Sequence, residues 1–288
     1  MNKGVVDVAD RGFGPDWSAA WRRGSPEVLQ EWLQFALDCC DAADAIALSG
    51  FRRDMHVSMK PDRTLVTDAD QAIERLIRER VSDRYPDHGV LGEEYGESQA
   101  GASVRWHLDP IDGTHNFIRG VPIFGTLLAV ERDGELQVGV MSAPAMRERW
   151  YASRGAGAWS VGAVGFDAPR RLSVSGVAGL DDAQLIYGSA TEIETSGRAP
   201  GFSRLLRSVW RDRGFGDFWG YALVAEGAAD GMVEVGVYPW DLAAPQVIIE
   251  EAGGRVTDFS GARRIDGREL LASNGLLHDE LLVRLRSD

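Results

Sequence analysis

The chain has 288 residues with 31 basic and 44 acidic side chains, a formal net charge of −13. That balance disfavours a nucleic-acid binder, whose affinity rests on Lys and Arg, and the 44% hydrophobic, 26% charged composition argues against disorder. No uncharged run reaches the ~18 residues of a membrane span, Asp7 and Asp10 interrupt any apolar signal core, and the adjacent pair Cys39-Cys40 suits neither a disulfide framework nor a zinc site.

The expected protein is therefore cytoplasmic, with no nucleic-acid or membrane partner. Residues 1–25 read as an N-terminal extension in which Trp17 and Trp21 make core contacts without chemistry. Ser25-Pro26-Glu27 combines a capping hydroxyl, a first-turn proline and an acid, and so starts a helix that runs to residue 49. Cys39 and Cys40 fall inside it as small core residues. A second helix follows Asp68, with Ile73, Ile77 and Val81 at helical spacing. Strands are expected at 104–108, 123–131, 136–142 and 149–152, the middle pair joined by the turn Arg132-Asp133-Gly134-Glu135. Further strands are expected at 171–174 and 185–188, then helices at 203–211 and 217–226. Strand 232–237, helix 241–252, strands 255–257 and 270–272 and a last helix, 276–285, complete the chain. Such blocks suit a layered α/β protein better than a regular βαβ coil. Dense glycine at 155–165 predicts two subdomains, an α+β unit at 26–155 and an α/β unit at 156–288.

Four acidic clusters fall at element ends: Thr67-Asp68-Ala69-Asp70, Gly92-Glu93-Glu94, Asp109-Pro110-Ile111-Asp112-Gly113-Thr114 and Trp240-Asp241-Leu242-Ala243-Ala244-Pro245. Each alone fits an ordinary turn or helix cap. Together they suit hard divalent cations, which take oxygen ligands and share their site with substrate phosphate. Asp109 and Asp112 flank a proline-stiffened turn with the Ile111 carbonyl between them. The amides of Gly113 and Thr114 would open a helix as a phosphate site. Carboxylates repel phosphate unless metal ions sit between them, so metals and a phosphate ester form one proposal.

With these segments, the chain resembles the inositol monophosphatase superfamily of Mg²⁺-dependent, lithium-sensitive phosphatases from about Pro26 onward. The resemblance implies an α/β/α/β/α layered fold, a homodimer, two or three Mg²⁺ per site and hydrolysis of a small-molecule phosphate ester by metal-activated water. It places Glu93, Asp109 and the Ile111 carbonyl on one metal, and Asp109, Asp112 and Asp241 on a second. Asp70 and Thr114 match the residues that position the attacking water, with Glu93 near a weaker third metal. Lys60, in Lys60-Pro61-Asp62, matches a basic residue of a mobile loop. His115 has either a site contact or a loop role.

Within the superfamily the chain is similar to bacterial histidinol-phosphatases. The similarity rests on Gly92-Glu93-Glu94-Tyr95-Gly96, the stretch 116–122, Ser142-Ala143-Pro144-Ala145, Arg213-Gly214-Phe215-Gly216-Asp217-Phe218, Val224-Ala225-Glu226-Gly227 and the stretch 274–279. On this basis Asp217 pairs with a substrate ammonium or merely caps its helix, and Phe218 packs against a substrate ring. Asp112 and Asp241 border the substrate as well. His115 replaces a usual lysine, the stretch 189–192 is unlike the group's pattern, and 234–239 follows the inositol-phosphatase form, in which Glu234 contacts substrate hydroxyls. A cyclitol, sugar or nucleoside phosphate is thus the alternative substrate, and a non-catalytic regulatory partner the alternative role.

Overall fold

The computed structural model describes residues 27–54, 56–60, 64–162, 165 and 168–286, so the extension with Trp17 and Trp21, and Pro61 and Asp62, lie outside it. Helix α1 (Glu27–Gly50) buries Leu29, Leu33, Leu37, Cys40 and Ala47 along one face, and both cysteines are core residues. A short antiparallel pair, β1 (Val57–Met59) and β2 (Leu65–Thr67), leads into α2 (Asp68–Arg84). Then come β3 (Gly89–Gly92), β4 (Gly96–Ser98), β5 (Val104–Asp112), the five-residue helix α3 (Thr114–Ile118) and β6 (Gly125–Arg132). Strands β7 (Glu135–Ala143), β8 (Glu148–Ser153), β9 (Gly157–Val161) and β10 (Arg170–Arg171) complete an eight-stranded sheet in the order β10-β9-β8-β7-β6-β5-β3-β4.

The second sheet begins with β11 (Gln184–Tyr187). After helices α4 (Ala190–Ile193) and α5 (Ala199–Leu206) come β12 (Arg211–Arg213), α6 (Asp217–Ala225), β13 (Gly231–Val235), α7 (Pro239–Glu251), β14 (Arg255–Thr257), β15 (Glu269–Ser273) and α8 (His278–Leu285). Its strand order is β12-β11-β13-β15-β14. Three buried clusters show the layering. Helices α1 and α2 cover one face of the large sheet, α6 and α7 fill the space between the sheets, and α5 and α8 close the far face of the small one. Both faces of the large sheet are therefore covered, which is why β6 reads as the unbroken apolar run Leu127-Leu128-Ala129-Val130. Leu127 and Ala129 face α7, while Leu128 and Val130 face α1.

Several sequence expectations change, among them the strand expected at 171–174, of which only Arg171 pairs as a strand residue, as part of β10. The glycine-dense stretch does not end the first sheet: β9 and β10 extend it through Arg171, so the change of sheet comes later than residue 155. The helix expected at 203–211 spans Ala199–Leu206 instead, with Pro200 in its first turn, and residues 211–213 pair as a parallel edge strand on β11. Strand β5 does not stop at Leu108 but continues through Asp112.

One buried histidine ties the small sheet to α8. His278 is inaccessible, with Nε2 at 2.8 Å from Thr257 Oγ1 and Nδ1 at 2.8 Å from Ser273 Oγ. Burial, aided by Arg255, lowers its pKa from 6.5 to about 4. The unfolded chain takes up a proton near pH 6.5 while the folded one does not until about pH 4. His278 stability is therefore complete above 6.5 and is lost as pH falls through that window, by roughly 2 kcal/mol at pH 5. Urea unfolding should thus show the stability gap between wild type and His278→Gln narrowing by about that amount from pH 7.5 to pH 5.

Candidate active site

The four acidic clusters meet at the ends of six elements. Asp70 sits in the first turn of α2, where Thr67 N–H donates to Oδ2 at 2.9 Å and the Thr67 hydroxyl donates to the same oxygen. This is a reciprocal cap, a local device that the Thr67–Asp70 spacing encodes. Oδ1 of Asp70 is left facing Thr114, whose Oγ1 lies 3.4 Å away and donates to the Ile111 carbonyl at 2.9 Å. Gly113, at φ 81°, turns the chain from β5 into α3. A left-handed residue is needed there, and an added Cβ would meet the Ile123 carbonyl at 3.0 Å.

Asp109 and Asp112 are three residues apart, and on a regular strand such residues point to opposite faces. Here the register against β6 slips. Asp109 pairs with Leu127 and Asp112 with Gly125, so two residues of β5 oppose the single Thr126, whose hydroxyl donates to the Pro110 carbonyl at 2.8 Å. This bulge brings both carboxylates to one side. From α7, Asp241 joins them, its Oδ2 held by the Tyr238 amide at 2.8 Å. Asp109, Asp112 and Asp241 each offer an oxygen, all within 4.8 Å of one another.

Electrostatics mark this cluster as a place for cations. Burial first, and then mutual repulsion among Glu93, Asp70 and the three aspartates, pushes Asp109 well above the carboxylate range. Asp112 is raised in the same way, by burial and then by Asp217 and Asp241. Asp241 rises to about 7 and Asp70 to about 6, burial leading in both. Oδ1 of Asp109 is buried without a hydrogen-bond partner. An orphaned oxygen in an all-oxygen donor set fits a hard divalent ion such as Mg²⁺.

Glu93 stands at the rim rather than in the tight trio. Lys60 Nζ binds its Oε1 and that of Glu94, each at 2.8 Å. Those contacts hold the Lys60 pKa above its ordinary value although burial opposes it. Glu74 escaped the sequence reading. Fully buried in α2, it accepts the amides of Glu94 and Tyr95. Its signal was an acid on a helix face otherwise built from Ile73 and Ile77.

On the other side α6 begins with Asp217. Its carboxylate does not cap its own helix: Oδ2 accepts from Asn116 Nδ2 at 3.2 Å, and the residue lies at φ 59°. Instead the start of α6 is capped from outside, by Asp112 Oδ2 on the Phe218 amide at 2.5 Å and Glu234 Oε1 on the Asp217 amide at 3.3 Å. Burial raises the Asp217 pKa, with exposed His115 opposing. Two expectations are corrected. The Phe218 ring is wholly buried against Trp150, so only its amide serves the site. Glu234 has both oxygens engaged, by the Asp217 amide and the Tyr221 hydroxyl, and burial raises it to about 8; it supports α6 from behind.

The arrangement suits an anionic ester brought to carboxylates by metal ions. The model of the inositol monophosphatase family matches residues 28–288. The histidinol-phosphatase of Mycobacterium tuberculosis is 46% identical over 256 residues, covering 88% of this chain and 98% of that protein. That of Streptomyces coelicolor is 44% identical over 262 residues, covering 89% and 97%. The crystal structure of extragenic suppressor protein suhB from Bartonella henselae superposes with a TM-score of 0.81 at 28% identity, covering 89% of this chain and 99% of that one. With its layered α/β fold and the match along nearly its whole described length, the chain belongs to the inositol monophosphatase family and is a phosphoric monoester hydrolase.

Proposed function

We propose that this phosphatase is Mg²⁺-dependent and hydrolyses histidinol phosphate. The observation that carries the substrate is Asp217. Its carboxylate is pinned by Asn116 beside Asp112, at the rim of the cluster. A carboxylate so placed favours a leaving group bearing an ammonium and gives a neutral polyol little. The 46% and 44% identical histidinol-phosphatases support the same substrate.

Asp109, Asp112 and Asp241, with Glu93 and the Ile111 carbonyl, would hold two Mg²⁺, and Glu93 borders a weaker third position. Bound there, the ions supply Lewis acidity, which lowers the pKa of water and neutralises charge on the transferring phosphoryl group. Thr114 and Asp70 orient the attacking water. Asp70 Oδ2 stays on Thr67, which leaves Oδ1 as the oxygen that receives the proton. The amides of Gly113 and Thr114 take phosphate oxygens, and Asp217 takes the ammonium. The same reading makes the protein a cytoplasmic, lithium-sensitive homodimer, which sedimentation and a lithium titration of turnover test.

Phosphate release with Mg²⁺ from histidinol phosphate, inositol 1-phosphate, fructose 1,6-bisphosphate, AMP and 3′-phosphoadenosine 5′-phosphate decides the substrate. Histidinol phosphate should lead in kcat/KM by about tenfold or more, the equivalent of ~1.4 kcal/mol. A cyclitol or nucleotide in the lead would replace this reading with the alternative substrate class. Turnover insensitive to a chelator would remove the metal.

A further inference from the structure

Glu74 is a buried acid one turn beyond Asp70 on α2, and its carboxylate is the anchor of the β3–β4 turn. Oε2 accepts the Glu94 amide at 2.8 Å; Oε1 accepts the Tyr95 amide at 3.0 Å and Arg78 Nε at 2.8 Å. Arg78 continues to the Gly96 carbonyl, and Arg75 Nη1 reaches the Tyr95 hydroxyl at 2.5 Å. A Cβ on Gly92 would stand 2.2 Å from Oε1 and within 2.8 Å of the other two carboxyl atoms. Glycine at 92 is therefore what lets the carboxylate enter beneath the turn. The turn is also held from the far side, where the Glu93 amide donates to the Leu108 carbonyl at 3.2 Å. Housing a buried carboxylate is costlier than housing an apolar side chain of similar size, so packing alone does not account for an acid here.

We propose that Glu74 is a positioning residue: it grips the backbone of Glu94 and Tyr95 so that the Glu93 carboxylate is presented to the cation site beside Asp109. One turn of α2 thereby sets the relative placement of Asp70 and Glu93. The inference rests on the reading of Glu93 as a metal ligand. Outer-shell partners of this kind are worth about 10–100-fold in metal affinity. Glu74→Gln retains the shape but places an N–H against an amide N–H, and so loses at least one of the two grips.

The test is a Mn²⁺ titration of the metal-free, full-length protein, with free Mn²⁺ read by electron paramagnetic resonance, alongside the Mg²⁺ dependence of turnover. Wild type, Glu74→Gln, Glu93→Gln and the double variant are compared. Glu74→Gln should weaken Glu93-dependent Mn²⁺ binding about tenfold and raise the half-saturating Mg²⁺ equally, with kcat at saturating metal within about threefold. The double variant should bind no more weakly than Glu93→Gln alone, because Glu74 acts through Glu93. Gly92→Ala keeps the charge but displaces it, and should reproduce the affinity loss even where Glu74→Gln fails to fold. Normal Mn²⁺ binding by Gly92→Ala or Glu74→Gln beside weakened binding by Glu93→Gln overturns the inference, as do multiplying effects in the double variant. Wild-type binding by Glu93→Gln would instead overturn the ligand reading on which it stands.

Discussion

Asp241→Asn should leave phosphate release at least about 10³-fold below wild type, roughly 4 kcal/mol of lost transition-state stabilisation, while making the chelated protein more stable. The two effects have one cause. Burial first, and then the charges of Glu93 and Asp217, raise the Asp241 pKa, and its carboxylate shares a tight cluster with Asp109 and Asp112, so ionising there is costly. An amide of the same shape still accepts the Tyr238 N–H through its oxygen but adds no charge. Relief of that repulsion should raise stability by on the order of 1–2 kcal/mol at pH 8 with chelator present. Adding Mg²⁺ should reverse the order, since wild type gains binding free energy that the variant lacks. Thermal melts with chelator and with Mg²⁺, beside a phosphate-release assay, check both halves. A variant that melts lower than wild type in chelator would mean that the cluster is not strained. One that still turns over would remove Asp241 from the catalytic site.

The second large effect concerns selectivity. Asp217→Asn should lower kcat/KM for histidinol phosphate by about 10–100-fold, the equivalent of ~1.5–3 kcal/mol for a charge-assisted pair. With inositol 1-phosphate the change should stay within about threefold, because a neutral ring has no ammonium to lose. Asparagine is the right substitution for the backbone as well as the charge. Residue 217 lies at φ 59°, where Asn is tolerated and Ala is strained. Equal losses on both substrates would assign Asp217 to holding Asn116 and the start of α6 rather than to reading the ammonium.

Much of this site was legible in the sequence because its parts are local. Thr67 and Asp70 cap α2 within a single turn, and the Tyr238 amide and Asp241 do the same for α7. Gly113 supplies the left-handed turn from strand to helix. The continuous apolar run of β6, and burial on β7 that is unbroken from Val138 to Ala143, mark strands covered on both faces. The segment 109–114 ends β5 and starts α3, and 240–245 lies in the first turns of α7, so each sets its acids at an element end within a few residues.

Other features depended on partners distant in sequence. Whether Asp109 and Asp112 converge was decided by the slip of β5 against β6, a property of pairing that no spacing within 109–114 contains. The inward turn of Phe218 and the rimward turn of Asp217 were set by Trp150 and Asn116. Glu74 looked like a surface acid until the β3–β4 turn was laid over it. The sequence by itself determined which residues can cap, turn, alternate and ligate, because those choices are made within a few residues by backbone sterics and neighbouring hydrogen bonds. Only the tertiary structure decided which carboxylates share a site, because their pairing, burial and repulsion depend on which distant strands and helix ends come together.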